Sequence, residues 1–211
     1  MLVPREFFAR FSVTVAPELL GCVLEHETPE GVVAVELTET EAYAGRSDPA
    51  SHAYRGRTPR NAVMFGPPGH AYVYFTYGMH FCVNVVCLGE EGSASAVLLR
   101  AGAVTAGEEL ARARRQRGAA PVPARDLARG PARLCQALGI DRSLDGADMC
   151  VASSALRIRV GEPTRSAKIA TGPRVGVSSA ADVPWRFWLD GEPTVSPYRA
   201  HVPRKRKLVT P

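Results

Sequence analysis

The sequence predicts a single domain of mixed α/β (α+β) class, and three observations carry that expectation. The chain has 211 residues, a length that one mixed domain commonly reaches. Apolar residues make up 45% and charged residues 22%, the balance of a chain that buries a core rather than staying disordered. Runs rich in β-branched and aromatic residues alternate with turns bearing Gly and Pro, only short stretches carry helix signals, and no internal repeat is present.

Taken in order, Pro4 to Phe11 opens a short helix, and Ala16 to Gly21 forms a second helical turn that Gly21 closes. Cys22 to His26 reads as a strand and Glu27 to Gly31 as a turn. Val32 to Tyr43 is a long strand with Val33, Val35, Leu37, Glu39, Glu41 and Tyr43 on one face. Apolar residues on both faces near its start make it a buried strand.

Residues 44–69 hold four Gly and four Pro and predict an ordered loop that carries Arg46, Arg55, Arg57 and Arg60. Tyr72 to Thr76 and His80 to Leu88 are strands around Tyr77-Gly78-Met79, a hairpin with an aromatic tip. A turn over Gly89 to Ser93 leads to a strand from Ala94 to Arg100. Thr105-Ala-Gly-Glu108 fits a capping box that opens a helix to about Arg117, supported by Glu108 four residues before Arg112. Gly118 to Ala124 is the best linker candidate, and Gly130 to Gly139 is a helix with Pro at its start and Gly at its stop. Short strands punctuated by Pro and Gly follow, ending at Phe187-Trp-Leu189. The domain is expected to span 1–203, with 204–211 as a basic tail.

The net charge of +5 and pI near 9.1 fit a nucleic-acid partner without requiring one. Their distribution says more, because arginines crowd the loop after the long strand and the helix from Thr105. Five cysteines with no Cys-x-x-Cys pair read as reduced core residues. No apolar run approaches the roughly 18 residues of a membrane helix, and no secretory leader opens the chain. The expectation is a cytoplasmic protein, nucleoid-associated if bacterial, with no membrane partner.

The chemistry gathers between Thr38 and Asn84. Glu39 and Glu41, two apart on a strand, would set their carboxyls roughly 7 Å apart, inside the ~5 to 9.5 Å window of glycosidic acid/base pairs. The alternative is that either caps the loop or pairs with its arginines. Tyr43, Tyr72, Tyr74 and Tyr77 would stack a base extruded from a duplex, or else pack a core. An aromatic beside Gly78 at a hairpin tip has little core to join and resembles a minor-groove wedge. His52 lacks the spacing of a metal ligand set, and no phosphate-cradling glycine motif suggests a nucleotide cofactor.

These same segments closely resemble the alkyladenine (3-methyladenine) DNA glycosylase family. The resemblance rests on Thr38-Glu-Thr-Glu-Ala-Tyr43, Thr58-Pro-Arg-Asn61, Tyr72-Val-Tyr-x-x-Tyr-Gly-Met79, Asn84, Leu98-Leu-Arg100, Gly130-Pro-x-Arg-Leu-Cys-Gln-Ala-Leu138 and Arg174-Val-Gly-Val177. It implies a curved antiparallel sheet with flanking helices and a protruding hairpin that enters the minor groove. It also implies a monomer that flips alkylated or deaminated purines (3-methyladenine, 7-methylguanine, hypoxanthine, ethenoadenine) out of duplex DNA. The N-glycosidic bond is then hydrolysed without cofactor or lyase step.

By position, Glu41 matches the general base and Arg100 a residue that helps place the water. Tyr43, His52, Tyr74, Asn84 and Leu98 match the base pocket, and Tyr77 matches the intercalating tyrosine. Arg57, Thr58, Met79, His80 and Arg133 match DNA-backbone contacts. Only one carboxylate is then needed, which returns Glu39 to a structural role. His80 stands where some members have Tyr, and the turn from Leu88 to Ala94 is longer than in some relatives.

Overall fold

The computed structural model describes residues 1–76, 78–90, 93–116, 118–161 and 168–202. Two short helices open the chain, α1 (Arg5–Phe8) and α2 (Ser12–Glu18). The strands β1 (Val23–Thr28), β2 (Gly31–Tyr43), β3 (Ala71–Thr76), β4 (His80–Cys87) and β5 (Ser95–Ala106) follow. After them come α3 (Glu108–Arg115), α4 (Pro131–Leu138) and the short strands β6 (Leu156–Arg159), β7 (Ile169–Gly172) and β8 (Arg186–Leu189).

The eight strands of the described residues join one curled antiparallel sheet, in the order β3-β4-β5-β2-β1-β6, with β8 joining β2 to β7. The fold is therefore the single mixed α+β domain that the sequence predicts. β2 is its spine. One edge pairs with β5 along nearly its whole length, while the other is shared by β1 (from Gly31 to Glu36) and β8 (from Glu39 to Glu41). Register shifts interrupt the β2–β5 ladder between Leu37 and Glu39 and between Glu39 and Thr40; irregularities of this kind bend a strand and re-aim its side chains. Gly102 sits opposite Leu37 at this point, where a Cβ would lie 2.2 Å from the Glu36 carbonyl oxygen. Only glycine fits so close an approach.

The strict alternation expected for β2 is thus broken. Thr38 to Ala42 are all buried, so both faces of the strand are covered. The helices α1, α2 and α4 close one face of the sheet, where Phe8, Val15, Leu19, Leu134 and Leu138 meet Val35, Leu37, Val85, Val97 and Leu99.

Several boundaries differ from the sequence expectation. The capping box at Thr105 does not form: β5 continues against β2 as far as Ala106, and the Thr105 hydroxyl turns to the Ala34 carbonyl. The helix instead begins after Gly107, a left-handed residue (φ 71°) whose Cβ would strike the Val32 carbonyl. Ladder pairing outweighs a local cap worth about 1 kcal/mol. The Glu108–Arg112 ion pair is present.

Helix α2 starts four residues before the predicted turn and stops just beyond Pro17, while Gly21 pairs with the Leu37 carbonyl instead of capping it. The segment 118–124 is a loop within the domain, tied back when Arg112 donates to the Val122 carbonyl. Tyr77 and the basic tail 204–211 lie outside the described residues.

Candidate active site

Strand alternation delivers the site. Ala71, Val73, Val83, Val85, Val97 and Leu99 point into the main core, while their neighbours Tyr72, Tyr74, Cys82, Asn84, Leu98 and Arg100 line a cavity of about 520 Å³ on the opposite face. The loop after β2 forms the far wall through Pro49, Ala50, His52 and Met64. Pro131 and Ala132 at the start of α4, and residues 175–178, complete it. The volume is that of a small-molecule or nucleobase site.

At the inner end stands a buried acid cluster. The Glu41 carboxylate is fully buried: Oε2 accepts from Tyr43 Oη at 2.9 Å and is ion-paired with Arg100 Nη1 at 3.2 Å, and Oε1 accepts from the Val175 amide at 2.7 Å. Tyr43, Arg100 and Val175 all line the cavity, and Glu41 stands directly behind them. Burial and the neighbouring Glu41 carboxylate push the Tyr43 hydroxyl well above its ordinary pKa, so it remains a proton donor.

Glu39 is engaged differently. Its Oε1 accepts from Arg100 Nε and Arg186 Nε, both at 2.7 Å, and from Ser196 Oγ at 2.9 Å; its Oε2 accepts from the Ser196 amide at 2.8 Å. Three donors crowd Oε1 and one meets Oε2, so both oxygens of the carboxylate are engaged. Burial works against the Glu39 charge, but the Arg100 and Arg186 charges and the Ser196 hydrogen bond outweigh it and lower the pKa. Arg100 bridges both carboxylates. Burial opposes its charge too, and the charges of Glu41 and Glu39 more than compensate, so its pKa is raised.

The wall is aromatic and hydrogen-bonded. Tyr72 stacks on Tyr74 at 5.5 Å with an interplanar angle of 29°, and His52 meets Tyr74 edge-on at 4.6 Å. His52 Nδ1 lies 3.0 Å from the Tyr72 hydroxyl, which burial pushes up to about 12. Although His52 is exposed as a whole, its ring is desolvated against these tyrosines; this and the Arg60 charge lower its pKa, favouring neutral imidazole. Asn61 fixes the loop by donating to the carbonyls of His52 and Gly56 while its Oδ1 accepts from Thr58. Asn84 donates to the Tyr72 carbonyl at 3.0 Å, which leaves its amide oxygen for other partners.

Of the residues singled out in the sequence, Tyr43, His52, Tyr74, His80, Asn84, Leu98 and Arg100 meet around this one cavity, with Glu41 behind it. Arg57, Thr58, Met79 and Arg133 do not line it. They are exposed outside it, Met79 at 67% beside the hairpin tip and the Arg133 side chain at 49% next to Ala132. The sequence reading missed Asp48, the Val175 amide, Arg186 and Ser196, and gave Arg174 no role. The Val175 amide, Arg186 and Ser196 lie more than 120 residues from the glutamates they hold, and Arg174 lies as far from Asp48; the Arg174-Val-Gly-Val177 segment is their one visible trace. Among the described residues no group of three or more His, Cys, Asp or Glu could hold a metal ion, and no helix is long and apolar enough to cross a membrane.

The family model described as methylpurine-DNA glycosylase (MPG) matches residues 6–193. A protein of Streptomyces avermitilis is 58% identical over 205 residues, covering 96% of this chain and 94% of its own length. One from Leifsonia xyli subsp. xyli is 54% identical, covering 93% and 92%, and one from Frankia casuarinae is 51% identical, covering 90% of each chain. All three carry the name "Putative 3-methyladenine DNA glycosylase".

Proposed function

The chain belongs to the methylpurine-DNA glycosylase family, and is thereby a DNA glycosylase of the 3-methyladenine type; from that premise we propose how it acts. It binds duplex DNA as a monomer, flips an alkylated or deaminated purine into the cavity, and hydrolyses the N-glycosidic bond with a water activated by Glu41. The observation that carries this reading is the Glu41 carboxylate, buried, charge-paired with Arg100 and hydrogen-bonded by Tyr43 and the Val175 amide at the end of an aromatic cavity.

The flipped base stacks on Tyr43 and Tyr74, with His52 and Leu98 at its edges. As the bond from C1′ to the base nitrogen breaks, its electron pair leaves with the base, and an already cationic base such as 3-methyladenine departs neutral. The sugar becomes oxocarbenium-like and is stabilised by the Glu41 charge. Water adds to C1′ and gives its proton to Glu41; Arg100 helps place the water. The product is an abasic sugar, with no amine nucleophile or lyase step. Asn84 crowds the 2-amino group of normal guanine. Tyr77 fills the gap left in the stack, while Arg57, Thr58, Met79, His80 and Arg133 meet the backbone.

Glu41→Gln keeps the shape of the cluster and removes the base. It should bind lesion duplex nearly as well as the parent and excise at least about 100-fold more slowly in single turnover. Equal excision rates in the two proteins would remove Glu41 from the mechanism.

A further inference from the structure

Arg174 is among the largest fully buried side chains of the molecule, and its Nε has no partner among the described residues. A buried donor left unpaired calls for an explanation. The rest of the side chain is held tightly. Nη1 and Nη2 fork onto the two oxygens of buried Asp48 at 2.6 and 2.8 Å, and Nη1 also donates to the Ala42 carbonyl at 3.0 Å. The guanidinium lies between two rings, 4.8 Å from the Tyr43 centroid and 5.3 Å from that of Trp185. Arg174 does not line the cavity, whereas Tyr43 does, so the ring face it covers is closed to any base.

Each contact leads to a part of the site. Asp48 accepts from the Ala44 and Ala50 amides, which shapes the loop whose Pro49 and Ala50 form the cavity wall. Ala42 lies between Glu41 and Tyr43. The residue after Arg174 supplies the amide that holds Glu41 Oε1. One guanidinium thus joins the end of β2, the loop after it and the segment after β7. Its planar fork can hold all three at once; a lysine ammonium, a point donor on a flexible stem, cannot.

We propose that Arg174, clamped by Asp48, is a positioning residue of the excision reaction: it backs the Tyr43 ring against the base pocket and holds the Val175 amide on Glu41. This rests on the reading of Glu41 as general base. The role is one of geometry at the reacting centre, where a shift of about 1 Å costs on the order of 100-fold in rate. Arg174 touches neither base nor water.

The test compares the parent with Arg174→Lys, Asp48→Asn and the double variant Arg174→Met/Asp48→Asn, in which no unpaired buried charge remains. Melting temperature, affinity for methylated duplex DNA, and single-turnover release of labelled methylpurines are measured well below each melting point. The expected result is release slowed about 10- to 100-fold with affinity held within a few-fold, and part of the loss recovered in Arg174→Lys relative to the double variant. Folded variants that release base at the parent rate overturn the proposal, and so do variants that lose fold and activity together, which would make Arg174 purely structural. A parent that releases no methylpurine overturns the excision reading itself, and the positioning role with it.

Discussion

The two faces of β3, β4 and β5 are built from the same backbone and obey opposite rules. On the core face Val73, Val83, Val85, Val97 and Leu99 are all fully buried, and their partners are other aliphatic side chains. One residue along, Tyr72, Tyr74, Cys82, Asn84, Leu98 and Arg100 line a cavity, and Tyr72, Asn84 and Arg100 are hydrogen-bonded to other segments. The core face needs only apolar volume and tolerates exchange among shapes of similar size. The cavity face needs particular groups, because a buried polar atom that loses its partner costs more than the bond was worth. Stability should therefore be concentrated on one face and activity on the other.

The largest expected effect tests that split with two adjacent leucines. Leu99→Ala, in the core, should lower unfolding free energy by about 2–5 kcal/mol, read from urea unfolding, while excision at low temperature stays near the parent's. Leu98→Ala, on the cavity wall, should cost less than about 2 kcal/mol because the space it leaves opens onto the cavity. Its change should appear in which bases are released. Equal stability losses would mean that the two faces are not energetically distinct.

Next in size is Tyr74→Ala, which removes the stacking surface between Tyr72 and His52. Affinity for lesion duplex should fall by about 1–3 kcal/mol in a binding titration. An unchanged affinity would assign Tyr74 to packing alone.

Asn84→Ser sharpens the comparison further, since it changes selectivity without emptying the core. If the amide crowds the 2-amino group of guanine, release of unmodified guanine should rise, with about 1 kcal/mol or more of discrimination lost, and hypoxanthine release should stay level or fall. A variant that handles 2-amino purines no better than the parent would move guanine exclusion to the flipping step.

The smallest effect is a pH dependence of stability. The Glu39 pKa is held below its ordinary 4.5 by Arg100, Arg186 and Ser196 against the opposing effect of burial. A depressed carboxylate stabilises the fold above its unfolded pKa, and that contribution fades as pH drops from about 4.5 through the lowered folded value. Glu39→Gln should accordingly show a flatter loss of unfolding free energy with acid over that range, by at most about 1.4 kcal/mol per pH unit, read from urea unfolding at several pH values. Parallel curves for parent and variant would remove Glu39 from acid unfolding.

The sequence by itself determined the class of the fold and the tyrosines, His52, Asn84, Leu98 and Arg100 of the cavity. Period-two alternation through Tyr72 to Thr76 and His80 to Leu88 separates core from cavity side chains, and Pro131 and Gly139 bound their helix because both act within a turn of it. These are local rules, set by pleat and by backbone sterics. What tertiary structure decided lies wherever a local signal met a stronger distant one. Thr105 reads as a cap and became a strand residue because β2 pairs with it. By spacing alone Glu39 and Glu41 are equivalent, two apart on one strand, and only the family resemblance separates their roles in the sequence. Ser196 and Arg186 saturate one carboxylate, and Tyr43, Val175 and Arg100 hold the other behind the cavity wall. Those partners come from up to 157 residues away, a distance across which no pattern in the sequence states which charges will meet.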